Sequence, residues 1–232
     1  MQVKNKSVIG ESHHALSEYR SKKLLAEYGI PVTEELLVRH PADAVSAAEK
    51  IGYPVAMKAC SPELMHKTEA GCIELGITSD DGLLSAYKRI KSSVTVELEG
   101  ILVQEMVPGI RELILGLNRE PQFGPCVMLG IGGVMTEIIN DTVFRVAPFD
   151  LIEARDMVRE LRSQAILNGF RGQLPVDLEI VCRCLVALGD IGLEHPQISE
   201  IDINPLKVNP DGRVMAVDAL VVFEEGYHAE TH

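Results

Sequence analysis

One stretch near the C-terminal end constrains the chain most. Residues 198–223 read ISEIDINPLKVNPDGRVMAVDALVVF, two runs of alternating apolar residues around a turn. Pro210 supplies the fixed φ of a type I turn, and Gly212 takes the left-handed position that closes a three-residue hairpin loop. That loop pairs Asn209 with Arg213. Counting back along both runs sets Asn204 directly opposite Asp218, and opposed residues share one face of a sheet. Asp202 lies two residues along on the same face. Ile201, Ile203 and Val217 are expected to point the other way. Two carboxylates and an amide oxygen on one patch suit Mg²⁺, which keeps several waters and takes few protein ligands plus substrate phosphates. The competing reading is a solvated acidic face, which Glu200 extends.

The rest of the chain fits an α/β protein. At 232 residues it has room for one large domain or two lobes sharing a cleft. The net charge of −12 disfavours nucleic acid. The five cysteines include no C-x-x-C pair and no zinc spacing, which fits a reducing cytosol. No apolar run reaches the length of a membrane span. Leu24, Leu25 and Tyr28 mark a helix ended by Gly29 and Pro31. Residues 34–39 form a strand, and 43–50 an Ala-rich helix. The apolar strand YPVAMKAC carries one charge, Lys58, which must reach water or meet an anion. A polar loop, SPELMHKTEAG, follows with His66, which reads either as an ordinary surface histidine or as one free to act as base, ligand or phosphoryl acceptor.

Residues 100–107 and 111–117 form two strands joined by Pro108 and Gly109. Met106 and Val107 offer backbone groups to a base, and Glu105 and Glu112 can accept from an amine or from hydroxyls. A plain hairpin with exposed glutamates would read the same. Gly130, Ile131, Gly132 and Gly133 allow close backbone approach to a ligand, with two short strands after them, but do not make a dinucleotide fingerprint. Arg145 in VFRVAP needs a partner, either a phosphate or Asp141 or Glu137. A charged helix at 150–162 and a long helix opened by Pro175 complete the chain before the hairpin.

Taken together, SEYRSKKLLAEYGIPV, IGYPVAMKACSPELMHKTEAG, ILVQEMVPGIRELILGL, FGPCVMLGIGGVMTEIINDTVFRVAP and EIDINPL resemble the ATP-grasp superfamily. Within it the chain resembles the nucleotide-binding β subunit of ADP-forming acyl-CoA synthetases such as acetate–CoA ligase. The resemblance implies an α/β ATP-grasp fold of two lobes with the nucleotide in the cleft between them. The expected division is an extension at 1–14, a first lobe at 15–105, a second lobe with the hairpin at 106–225, and a tail at 226–232. It further implies that Lys58 contacts the nucleotide phosphates, that Glu105, Met106 and Val107 hold adenine, and that Glu112 holds the ribose. Asn204, Asp218 and Asp202 would hold Mg²⁺, His66 would take part in passing a phosphoryl group to ADP, and Arg145 could meet a phosphate. ATP or ADP is then a substrate, the partner is a separate CoA-binding α subunit in an α2β2 heterotetramer, and the setting is cytoplasmic, with no nucleic acid or membrane. The family's loop usually has glycine where this chain has Cys72. A succinate–CoA ligase-like β subunit, or a non-catalytic ATP-grasp module of an acetyltransferase, would be alternatives.

Overall fold

A computed structural model describes residues 14–64, 71–133, 141–169 and 172–224. His66 and Glu137 lie outside them. Two antiparallel sheets organise the chain. The first has the order β1-β4-β2-β3, from β1 (Glu35–Val38), β2 (Val55–Cys60), β3 (Ile73–Ile77) and β4 (Gly100–Glu105). Helices α2 (Pro41–Ile51) and α3 (Asp80–Ser93) pack against it. Ser79 caps α3 by accepting from the Gly82 N–H, which satisfies one of the orphan donors of the first turn. Ala44, Ala48, Leu83, Ile90 and Val103 belong to the core they bury.

The second sheet runs β10-β8-β5-β6-β7, with β9 also paired to β8. Its strands are β5 (Arg111–Glu120), β6 (Gly124–Ile131), β7 (Thr142–Val146), β8 (Ile198–Val208), β9 (Val214–Ala216) and β10 (Ala219–Phe223). Helices α4 (Leu151–Glu160) and α5 (Leu178–Glu194) cover one face. The Asp150 carboxylate caps α4, and Asp177 caps α5. Pro175 therefore stands before the cap and does not open the helix. The strand β6 ends inside the glycine run, so one strand precedes those glycines where both were expected to follow. Gly132 lies against Glu112, where a Cβ would come within 3.0 Å of the Glu112 Cβ. Packing against that strand, as well as any ligand, asks for glycine there.

Helix α1 (Glu18–Glu27) departs from the expected division at residue 15. Its Leu25, with Ile30 after it, joins the core of the second sheet rather than the first. The Leu16 N–H donates to the Val221 carbonyl at 2.9 Å, and Ala15 bridges Val222. An amphipathic stripe demands an apolar surface but does not name which sheet provides it.

The closing hairpin follows the counted register. The Asn209 N–H donates to the Arg213 carbonyl at 2.8 Å, and Gly212 has φ +86°. Leu206 faces Ala216 and Ile203 faces Ala219, which places Asn204 across from Asp218. The Asn204 N–H donates to the Asp218 carbonyl at 3.3 Å. The alternation of faces breaks at this point. Ile201 and Ile203 are buried, then Leu206 and Val208. The pairing with β5 slips by one residue over the same stretch, since Leu115 faces Ile203 while Leu113 faces Leu206. Pro205 has no N–H for a ladder, and a bulge accommodates it. Val217 correspondingly does not turn away from the patch as an unbroken pleat would have it, but lines the cleft described next. Among the described residues no helix is long and apolar enough to cross a membrane.

Candidate nucleotide site

The two sheets face each other across a cleft of about 460 Å³. From the first sheet and the crossing between the sheets come Lys58, Glu105, Met106 and Val107. From the second come Glu112, Asn204 and Asp218. Ala56 and Asp218, 162 residues apart in sequence, both line the cleft. Ala56, Ile73, Leu75 and Pro205 add apolar wall. Leu75 is 65% exposed, a large apolar side chain left uncovered at the mouth. An apolar slot with a few convergent polar groups is the usual form of a small-molecule site.

Glu105 is fixed by β1. Its carboxylate accepts from the Glu34 N–H at 2.7 Å, and its own N–H donates to the Glu34 carbonyl at 3.0 Å. Lys58 does meet an anion, and the anion is a protein group that sequence reasoning missed. Its ammonium donates to Glu18 Oε1 at 2.7 Å and to the Val217 carbonyl at 2.9 Å, with Asp218 Oδ2 at 3.9 Å. The same Glu18 oxygen accepts from Lys22 at 2.8 Å, and Lys22 also pairs with Glu35. Gln104 accepts from Lys22 and donates to the Val217 carbonyl at 3.2 Å. Glu18, Lys22 and Lys58 are all buried. Burial opposes the charge on Lys22, but Glu18 and Glu35 outweigh it and hold its pKa above the ordinary value. Burial raises that of Glu35, against the opposing pull of Lys22. The sequence signals for this network are the lone charge of Lys58 in an apolar strand and the i,i+4 spacing of Glu18 and Lys22 on one helix face.

Arg145 and Asp202 are not brought into the cleft lining. Arg145 lies on β7 and pairs with Glu153 at 3.1 Å and with Glu160, both on α4. Its ion-pair partners among the described residues are thus these two and not Asp141, whose carboxylate accepts from the Arg162 and Ser163 N–H groups. Asp202 sits opposite Leu220 and Gly116 on its sheet. Burial, then Glu200 and Asp218, push its carboxyl up to about 6. Among the described residues no group of three or more His, Cys, Asp or Glu side chains gathers as a metal site. The facing Asn204 and Asp218 are an amide and one carboxylate, a donor set that fits Mg²⁺ sharing its sphere with water and phosphate. The cysteines are free, and burial drives the Cys184 thiol up to about 12.

Comparison with known proteins agrees with this geometry. The sequence model of a family described as an ATP-grasp domain matches residues 7–223. The chain is 41% identical to the acetate–CoA ligase (ADP-forming) I subunit beta of Pyrococcus furiosus, over 89% of this chain and 91% of that one. It is 40% identical to acetate–CoA ligase (ADP-forming) I of Archaeoglobus fulgidus, of which it spans only 30%. Its fold matches a solved structure of the Ca. Korarchaeum cryptofilum dinucleotide-forming acetyl-coenzyme A synthetase 1, in complex with coenzyme A and Ca-AMPCP. The TM-score is 0.86 at 40% identity, covering 93% of this chain and 95% of that one. A second structure of that synthetase holds coenzyme A and Mg-AMPPCP, with a phosphohistidine segment pointing towards the nucleotide-binding site, at TM-score 0.79 and 38% identity over 91% and 93% of the two chains. The chain belongs to the ATP-grasp family, among the β subunits of ADP-forming acid–CoA ligases.

Proposed function

We propose that this chain carries the nucleotide half of the reaction acyl-CoA + ADP + phosphate ⇌ acid + ATP + CoA, working with a CoA-binding α subunit. The observation that carries the reading is the meeting of Lys58, the Glu105–Val107 crossing, Glu112, Asn204 and Asp218 in one cleft. In this reading the backbone at Met106 and Val107 holds the adenine edge, and Glu112 accepts from the ribose hydroxyls. Asn204 and Asp218 would hold Mg²⁺, and the ion would offset phosphate charge; a Korarchaeum synthetase of similar fold is solved with Mg-AMPPCP. Asp202 serves beside that site rather than in it.

Phosphoryl transfer to a bound diphosphate is mainly positioning and charge neutralisation. The step breaks an N–P bond on a phosphohistidine and forms a P–O bond to the terminal ADP oxygen. The electron pair of the broken bond returns to the imidazole nitrogen. His66, outside the described residues, is proposed to take part in that relay. It would accept phosphoryl through a neutral ring, because an imidazolium has no free lone pair. A relative named as a β subunit supports a separate α partner, and an α2β2 assembly is part of the proposal.

The test is reconstitution with a CoA-binding α subunit, following ATP formed from acetyl-CoA, ADP and phosphate. Turnover is expected only with both chains and Mg²⁺, and His66→Ala should abolish it. Full turnover by the His66 variant would remove the relay role. Mass measurement of the complex checks the assembly.

A further inference from the structure

The cleft has a charge problem. Its acidic lining residues are Glu105, Glu112 and Asp218, and its basic ones are Lys58 and Lys207. The protein as a whole carries −12. Lys58 is already engaged by Glu18 and the Val217 carbonyl, and Lys22 and Glu35 complete a neutral buried set. Arg145 is held by α4 on another surface. Among the described lining residues, a nucleoside phosphate entering this cleft meets one lysine that is not so engaged. Lys207 is half-buried in the lining, and among the described residues no hydrogen bond or ion pair occupies its ammonium.

Its place along the strand says which part of the ligand it can reach. Lys207 is the register partner of Glu112 on β5. It stands three residues from Asn204, about 10 Å at the rise of a strand. Asn204 and Asp218 mark the metal end of the cleft, and Glu112 marks the ribose end. The run between them is comparable with that from the ribose to the terminal phosphate of a nucleoside diphosphate. A lysine rooted beside Glu112, with a flexible four-carbon stem, covers the phosphate next to the ribose.

We propose that Lys207 is a nucleotide-binding residue whose ammonium contacts the ribose-proximal phosphate. This rests on the nucleotide reading above and adds a cation to it that neither the glycine run nor the strand lysine of the first sheet supplies. Lys207 acts on the ligand directly. The rival account, in which it only steadies Glu112, makes a different prediction, because Glu112 addresses the ribose alone.

The experiment is calorimetric titration of the full chain with adenosine, AMP and ADP in Mg²⁺ buffer, for the wild type, Lys207→Met and Lys207→Arg. Lys207 is half-buried and its ammonium makes no bond among the described residues, so both variants should fold, and thermal unfolding checks that they do. Lys207→Met is expected to weaken AMP and ADP about ten-fold, the order of one charge-assisted contact, and to leave adenosine within about two-fold. Lys207→Arg should restore most of the loss. If Lys207→Met leaves AMP unchanged, the phosphate contact is wrong. Equal weakening of adenosine and AMP would mean Lys207 works through Glu112, which also overturns the proposal. A wild-type chain that binds neither adenosine nor ADP would defeat the nucleotide reading itself, and Lys207 with it. The three failures are distinguishable in one data set.

Discussion

Asp202 and Asn204 stand two residues apart on one strand, yet their surroundings differ. Asn204 is exposed at the bulge in the cleft, whereas the Asp202 carboxyl is raised to about 6 by burial and by Glu200 and Asp218. An unfolded Asp titrates near about 3.9. The folded protein therefore binds the extra proton between those values, and stability falls as pH rises from about 4 to 7. Asp202→Asn should gain roughly 2 kcal/mol at pH 7.5 over the wild type and nothing at pH 4. Urea unfolding in metal-free buffer at the two pH values checks this. An unchanged pH dependence would mean Asp202 is not the group responsible. Arg145 gives the opposite kind of test. Its ion pairs to Glu153 and Glu160 are at the surface and worth at most about 1 kcal/mol. Arg145→Met should leave ADP affinity within about two-fold by calorimetry. A charge inside an apolar strand was a legible signal that a partner must exist. It could not say that the partner of Arg145 would come from the next helix, or that of Lys58 from a helix forty residues earlier. The same signal stands at Lys207 in PLKVN, where the turn-counting argument drew attention to its neighbours instead.

At the scale of elements, the hairpin was the most legible part of the chain. Pro210 and Gly212 determine the loop, the loop determines the pairing, and the pairing sets Asn204 against Asp218. What counting could not see was the bulge at Asn204 and Pro205, because it assumes an unbroken pleat. Val217 was misplaced for that reason. Gly212 now carries a sharper expectation. It has φ +86°, and a Cβ there would lie 2.1 Å from the Pro175 carbonyl oxygen. The close contact is with backbone, so no side chain can step aside. Gly212→Ala should cost about 3 kcal/mol or more, combining the left-handed conformation with the overlap. Denaturant unfolding measures it, and a loss below about 1 kcal/mol would show that the backbone at Leu174 and Pro175 yields easily. The helix start at Asp150 was readable, while the start of α5 was displaced by reading Pro175 in place of Asp177.

Across the whole molecule, the two sheets are joined by more than the 106–110 crossing. Lys22 on α1, which packs on the second core, reaches Glu35 and Gln104 of the first sheet and the Val217 carbonyl of the second. Removing one member of a buried ionic set leaves an unpaired charge, typically at a cost of about 3–5 kcal/mol. Lys22→Met should lower stability by that order, and unfolding should split into two transitions as the sheets lose their shared anchor. A single transition at unchanged midpoint would show that the network contributes little. Two sheets with a cleft were legible from the strand pattern together with the resemblance, but the attachment of α1 was not, since only long-range packing decides it. That attachment also bears on synthesis. Ala15 bridges Val222, so α1 rests on a strand that is synthesised long after it. While β1 to β4 can assemble with α2 and α3 as they emerge, the apolar face of α1, with Leu25, stays uncovered until the second sheet is complete. Nascent chains stalled before Val214 should stay open to protease within Glu18–Glu27, and become resistant there only once Phe223 has cleared the tunnel.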